Sequence, residues 1–196
     1  MRLLFKCFAC CFALCCILSM TGFYGVRGGL ERDVLRLHII ADSDSRQAQE
    51  LKLKVRDGVL SSSGCGFSEC RTKEEALCFA EKNLDKIESC ANAVLKKNGS
   101  SLTARAYITK MSFDTRIYES FTLPAGTYDT VRIVIGSGQG HNWWCVLFPS
   151  LCIGAADDSS LESLGKNEEE LITNSENYRI GFKIAELFSF LTNGRL

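Results

Sequence analysis

The stretch DVLRLHIIADSDS, residues 33–45, changes character halfway along. Val34, Leu35, Leu37, Ile39 and Ile40 are apolar and mostly branched, which is strand composition. Asp42, Ser43, Asp44 and Ser45 follow, all residue types that favour the start of a helix. A strand therefore leads directly into a helix, and what comes after it sets the fold class.

A helix is expected from near Ser45 to about Leu60, because Ala48, Leu51, Val55 and Val59 form one apolar stripe at spacings of three and four. Gly58 weakens its last turn, Ser61-Ser62-Ser63-Gly64 ends it, and the chain to Arg71 reads as loop. Thr72 and Glu75 form a capping box that opens a second helix. Leu77, Ala80, Leu84, Ile87, Ala91 and Val94 supply its apolar face, and Asn98-Gly99 its stop.

The period then changes to two. LTARAYITKMSF (102–113) alternates, residues 115–121 continue β-prone, and Pro124-Ala125-Gly126 is a turn. YDTVRIVIG (128–136) and WWCVLF (143–148) read as strands joined by GSGQGHN (136–142), as a hairpin or a wider loop. Residues 154–176 are acidic and loop-like, and residues 182–191 read as a short helix with Phe182, Ala185, Phe188 and Leu191 on one face. Helices first and strands mostly together indicate an α+β fold, a mainly antiparallel sheet with helices packed on one face.

Ahead of this lies an apolar leader, expected as an N-terminal hydrophobic helix. MRLLFK carries Arg2 and Lys6, residues 7–26 hold no charge, and Arg27 ends the run. A helix of that length spans the roughly 30 Å of a bilayer core, yet a basic start and apolar centre also describe a secretory signal. No A-x-A triplet decides for cleavage, so residues 1–29 read as a signal peptide or an N-terminal membrane anchor. Arg2 and Lys6 favour the cytoplasmic side, which puts the rest of the chain outside. Residues 30–154 form the globular α+β domain, and residues 155–196 an acidic linker with the C-terminal helix.

The 196-residue chain has 23 basic and 23 acidic residues. Such a balance gives no basic face for nucleic acid. Of its 11 cysteines, Cys7, Cys10, Cys11, Cys15 and Cys16 lie in the leader. The other six permit disulfides after export. Those six contain no C-x-x-C pair and the chain has only two histidines, so neither a zinc site nor a cofactor is expected.

Gly136-x-Gly138-x-Gly140 lacks the following helix of a dinucleotide fingerprint and reads as a loop that uses positive φ. Cys145 with His141 or His38 invites an envelope cysteine hydrolase, with Asp42 or Asp44 as orienting group for His38. Cys145 lies in an apolar strand with no electropositive neighbour, however, and such thiols are inert. A turn at Pro149 would let Cys145 and Cys152 approach the ~5.5 Å between Cα atoms that a disulfide needs. Burial as free thiols is the alternative. His38, Asp42 and Asp44 suggest a metal site, but the two aspartates serve equally as helix-capping charges. Trp143 and Trp144, adjacent on a strand, point to opposite faces. One fills the core and the other is free to anchor a partner.

LRLHIIADSDS, LKLKVRDGVL and FTLPAGTYDTVRIVIGSGQGHNWWCVLFPSLC resemble the stage II sporulation protein R family of endospore-forming bacteria. The resemblance covers residues 35–153 and touches FKIAELF in the tail. It implies an exported signalling protein, not an enzyme. Such a protein is made in the forespore and crosses into the space between the forespore and mother-cell membranes. It triggers a membrane-embedded aspartic protease, the stage II sporulation protein GA, which processes the precursor of the mother-cell sigma factor. Asp42 stands where the family commonly has Asn, Ser150 where a second Pro is common, and His141 where Lys is common. These departures speak against a catalytic His141 and a metal at Asp42. The expected partner surface comprises His38, Asp42, Asp44, Gln139, His141, Asn142, Trp143 and Trp144.

Overall fold

The computed structural model describes residues 2–118, 121–151, 164 and 166–173. They divide between two compact units. One draws on Met1–Glu31, Phe113–Gly126 and Gly165–Leu196, the other on Arg32–Ser112 and Thr127–Leu164.

The first unit contains most of helix α1 (Arg2–Asp33), a two-residue ladder of β3 (Arg116–Ile117) and β4 (Thr122–Leu123), and helix α4 (Lys166–Thr173). Helix α1 continues past residue 29, where the leader was expected to end, and an Arg27–Glu31 ion pair at 2.8 Å lies across that boundary. Among the described residues no helix is long and apolar enough to cross a membrane. Leu4, Phe5 and Phe8 near the start of α1 are exposed. Helix α4 lies in the segment expected to be loop. The expected C-terminal helix, residues 182–191, is outside the described residues.

The second unit holds a four-stranded sheet in the order β2-β5-β1-β6, from β1 (Leu35–Ile40), β2 (Ala104–Phe113), β5 (Gly126–Ile135) and β6 (Asn142–Phe148). β1 runs antiparallel to β6 and parallel to β5. At one end of the β2–β5 pair the Ser112 and Thr127 hydroxyls are 3.2 Å apart, and at the other the Gly136 N–H donates to Thr103 O. That register is antiparallel. The sheet is thus mainly antiparallel, as expected, with one parallel pair at its centre.

The strands on either side of GSGQGHN do not form a hairpin, because β1 lies between them. Neighbouring strands are about 4.8 Å apart, so stepping over one strand spans roughly 10 Å. Six residues reach that distance easily at about 3.3 Å each. Only a tight two-residue turn would have forced direct pairing.

Helices α2 (Arg46–Ser68) and α3 (Lys73–Lys97) cover one face of the sheet. Leu35, Leu37 and Ile39 of β1, Val131, Ile133 and Ile135 of β5, and Cys145 and Leu147 of β6 meet Leu51, Val55, Val59, Ile87, Ala91 and Leu95 in a single core. Burial of this kind stabilises by about 25 cal/mol per Å² of apolar surface.

Helix α2 is longer than the expected 45–60. Ser61-Ser62-Ser63-Gly64 does not end it, because packing outweighs local propensity. Phe67 is buried and meets Phe79 of α3 edge-on, ring centres 4.9 Å apart. The two helices come together at glycines: a Cβ on Gly58 would lie 2.6 Å from Val94 Cγ2, and one on Gly66 would lie 2.1 Å from Phe79 Cζ. Gly58 is therefore a contact point and not a weak turn. Thr72 caps α3 as expected, its hydroxyl accepting the Glu75 N–H at 3.2 Å. Glu75 returns the bond to the Arg71 N–H, one residue before the cap.

Strand β2 is a sheet edge, and α3 side chains engage it. Asn92 accepts the Ala104 N–H and donates to the Ala104 carbonyl, while Glu88 accepts the Ala106 N–H. Such covering of an edge discourages pairing with other chains.

Candidate functional site

The segment after β1 and the loop after β5 meet at one end of the sheet. Residues 136–141 arch over the exit of β1 and are tied to it by backbone and carboxylate bonds. Gln139 N–H donates to Asp42 O at 3.2 Å and Gly140 N–H to Ala41 O at 2.9 Å. Ser137 donates its N–H to Asp42 Oδ1 at 2.7 Å and its hydroxyl to Asp42 O at 2.8 Å. Asp44 Oδ1 takes both the backbone N–H and the ring Nδ1 of His141.

The glycines make this arch possible. Gly136 and Gly138 have φ of +57° and +63°, as expected for the loop. Gly140 serves differently: a Cβ there would lie 2.3 Å from Ser43 O.

The aspartates do not cap α2. Ser45 does, its hydroxyl accepting the Ala48 N–H at 3.2 Å. Asp42 and Asp44 hold the arch instead. The His141 hydrogen bond keeps the Asp44 carboxyl below its ordinary value.

Lys52 was missed in the sequence. It is only 4% exposed, and its ammonium donates to Gln49 Oε1 at 2.6 Å, His141 O at 2.9 Å and Asn142 O at 3.4 Å. Burial pulls its pKa down, against the pull of Asp44. The signal was present: Lys52 follows Ala48 by four residues and precedes Val55 by three, so it lies on the apolar stripe.

His38 belongs to a different environment. It pairs across the sheet with Trp144, while Ile39 pairs with Trp143 and Leu37 with Cys145. Cross-strand partners share a face. Trp143 and Cys145 therefore face the helices, and His38 and Trp144 the opposite side. The His38 ring stacks on Trp144 with centroids 5.9 Å apart, and Nε2 lies 2.6 Å from Asn142 Oδ1. Burial lowers the His38 pKa to about 4, opposed by the Asn142 bond. Trp143 is half-buried against the core, with the Arg56 guanidinium 5.1 Å from its ring centre.

The hydrolase constellation does not assemble. His38 is on the other face of the sheet from Cys145. His141 is turned to Asp44, and neither aspartate bonds to His38. Cys145 is disulfide-bonded, which removes the thiolate that such chemistry needs. Cys152, its expected partner, lies outside the described residues. Metal ligation fails likewise: His38, Asp42 and Asp44 turn to three different partners. Among the described residues no group of three His, Cys, Asp or Glu is placed to hold an ion. What the structure brings together is Asp42, Asp44, Gln139, His141 and Asn142 at one rim. His38 and Trp144 lie on the far face, and Trp143 lies at the core edge.

The family model described as Stage II sporulation protein R matches residues 31–158. A curated relative, Stage II sporulation protein R of Bacillus subtilis (strain 168), is 36% identical over 136 residues, which is 69% of this chain and 60% of that protein. The chain thus spans about 60% of that relative's length. No solved structure matches it. With the shared segment running from the end of α1 through β6, the chain belongs to the stage II sporulation protein R family.

Proposed function

We propose that the chain is an exported sporulation signal that acts by contact. On this reading it leaves the forespore and enters the space between the two membranes. There it switches on a membrane-embedded aspartic protease, the stage II sporulation protein GA, which processes the mother-cell sigma-factor precursor. The observation that carries the reading is the arch of residues 136–141, tied down on its inner side and exposing Gln139 and His141 on its outer side. An activator must bind one state of its receptor better than the other, and a fixed, polar loop presents one shape to discriminate with. The basic start of α1, followed by an uncharged run, supports its use as an export signal.

The test is complementation. In sporulating cells that lack the gene, the full chain restores processing of the sigma-factor precursor, and Gln139→Arg with unchanged stability does not. Normal processing by cells lacking the gene would end this reading.

A further inference from the structure

Helices α2 and α3 cover one face of the sheet. On the other face a single row of side chains crosses all four strands: Tyr107 of β2, Arg132 of β5, His38 of β1 and Trp144 of β6. The Arg132 guanidinium lies 5.9 Å from the centre of the Tyr107 ring, and the His38 ring stacks on Trp144. Side chains two apart on a strand share a face, so the next row toward the arch is Arg105, Val134, Ile40 and Asn142. Tyr107 is 39% exposed, Arg105 and Asn142 are exposed, and Arg132 and Trp144 are half-buried.

These two rows hold two guanidiniums and no carboxylate. Asp129, the one carboxylate on the four strands, faces the helices and holds Lys73 at 2.5 Å. Neither Arg105 nor Arg132 has an ion pair among the described residues, and Arg132 Nε is buried with no hydrogen-bond partner there. In a chain of zero net charge this is a local positive surface with its charges unanswered.

A guanidinium presents paired N–H donors that match a carboxylate. Arg105 and Arg132 are diagonal neighbours across the β2–β5 pair, which sets their stems about 7–8 Å apart. Side chains two positions apart on an extended chain are separated by about 7 Å. The Tyr107 and Trp144 rings beside them supply apolar contact. A bilayer fits less well: polybasic segments that hold anionic lipid carry about 4–8 cations. Leu53 and Tyr107 are the exposed large apolar residues described in this unit, and Tyr107 alone is on this face, so it has little to insert. We propose that this half of the helix-free face docks an extended acidic segment of a partner protein, with two carboxylates two positions apart, one on Arg105 and one on Arg132. The inference stands apart from the function proposed for the arch.

An NMR titration of the full chain tests it. Ac-Ala-Glu-Ala-Glu-Ala-NH2 shifts the Tyr107 and Arg132 amides and the Trp144 indole N–H at least fivefold more than Ac-Ala-Gln-Ala-Gln-Ala-NH2 does. Arg105→Gln and Arg132→Gln each cut those shifts at least threefold. Should Arg132→Gln fail to fold, Arg105→Gln, at an exposed position, decides alone. Equal shifts from the two peptides, shifts from neither, or an Arg105→Gln protein that responds like the parent overturn the proposal. So does inorganic phosphate that shifts the same signals as far as the acidic peptide, since the site would then take any anion. Sedimentation with phosphatidylglycerol vesicles that Arg105→Gln abolishes would assign the face to a lipid surface instead and likewise overturn it.

Discussion

Ser137 and Asp42, 95 positions apart, share two hydrogen bonds: the Ser137 N–H reaches the Asp42 carboxylate at 2.7 Å and its hydroxyl reaches the Asp42 backbone oxygen at 2.8 Å. This double contact joins the exit of β1 to the exit of β5, the two parallel strands of the sheet. Asp42→Ala loses the first bond, so unfolding free energy falls by about 1 kcal/mol and hydrogen exchange at the Ser137 amide accelerates. Asp42→Asn keeps an acceptor oxygen and stays close to the parent. Equal losses for both variants would show that charge, not acceptance, holds the arch.

Gly140→Ala places a methyl group against the Ser43 carbonyl, at 2.3 Å before relaxation. Backbone cannot give way as a side-chain end can. The expected cost is about 1–3 kcal/mol, read by urea denaturation, with signalling lost along with the arch geometry.

Lys52→Met preserves the aliphatic stem and removes the donor to the His141 and Asn142 carbonyls. Leaving these groups short of a partner costs about 2 kcal/mol. A variant as stable as the parent would mean that water replaces the ammonium.

His38 gives the fold a pH dependence. Its pKa drops from 6.5 to about 4 on folding, because burial disfavours the charged ring. Between these values the unfolded chain binds more protons. The stabilisation is therefore fully present above pH 6.5 and is lost as pH falls to about 4. A shift of this size corresponds to about 3 kcal/mol. Urea midpoints from pH 7 to pH 4 should show the decline, and His38→Phe should flatten it. Trp144→Ala admits water to the ring and raises the pKa read by NMR.

Cys145→Ser removes the disulfide and lowers stability by about 2 kcal/mol. A contact signal survives this change in whatever fraction remains folded. Complete loss of signalling in well-folded Cys145→Ser protein would count against action by contact alone.

The sequence showed most of the elements and about half of the site. Thr72, the Ile87–Ala91 stripe and the strand at residues 35–40 were readable because each depends on local period or capping. The length of α2 was not readable, since it depends on Phe67 finding Phe79 and on Gly66 admitting that ring. Nor was the separation of β5 from β6, because a glycine-rich loop permits both a hairpin and a step over one strand. Opposite faces for Trp143 and Trp144 followed from strand geometry alone. The grouping of Asp42 with Ser137 required the sheet order, which no local pattern encodes.

That order also bears on how the polypeptide comes to be folded. β1 is synthesised early, but both strands that flank it lie beyond residue 125. Closing so long a loop must precede pairing and slows it. Until Phe148 emerges, the central ribbon lacks one of its two neighbours and the sheet has no finished middle. A chain so wired completes its β-sheet late, after its three long helices have been made.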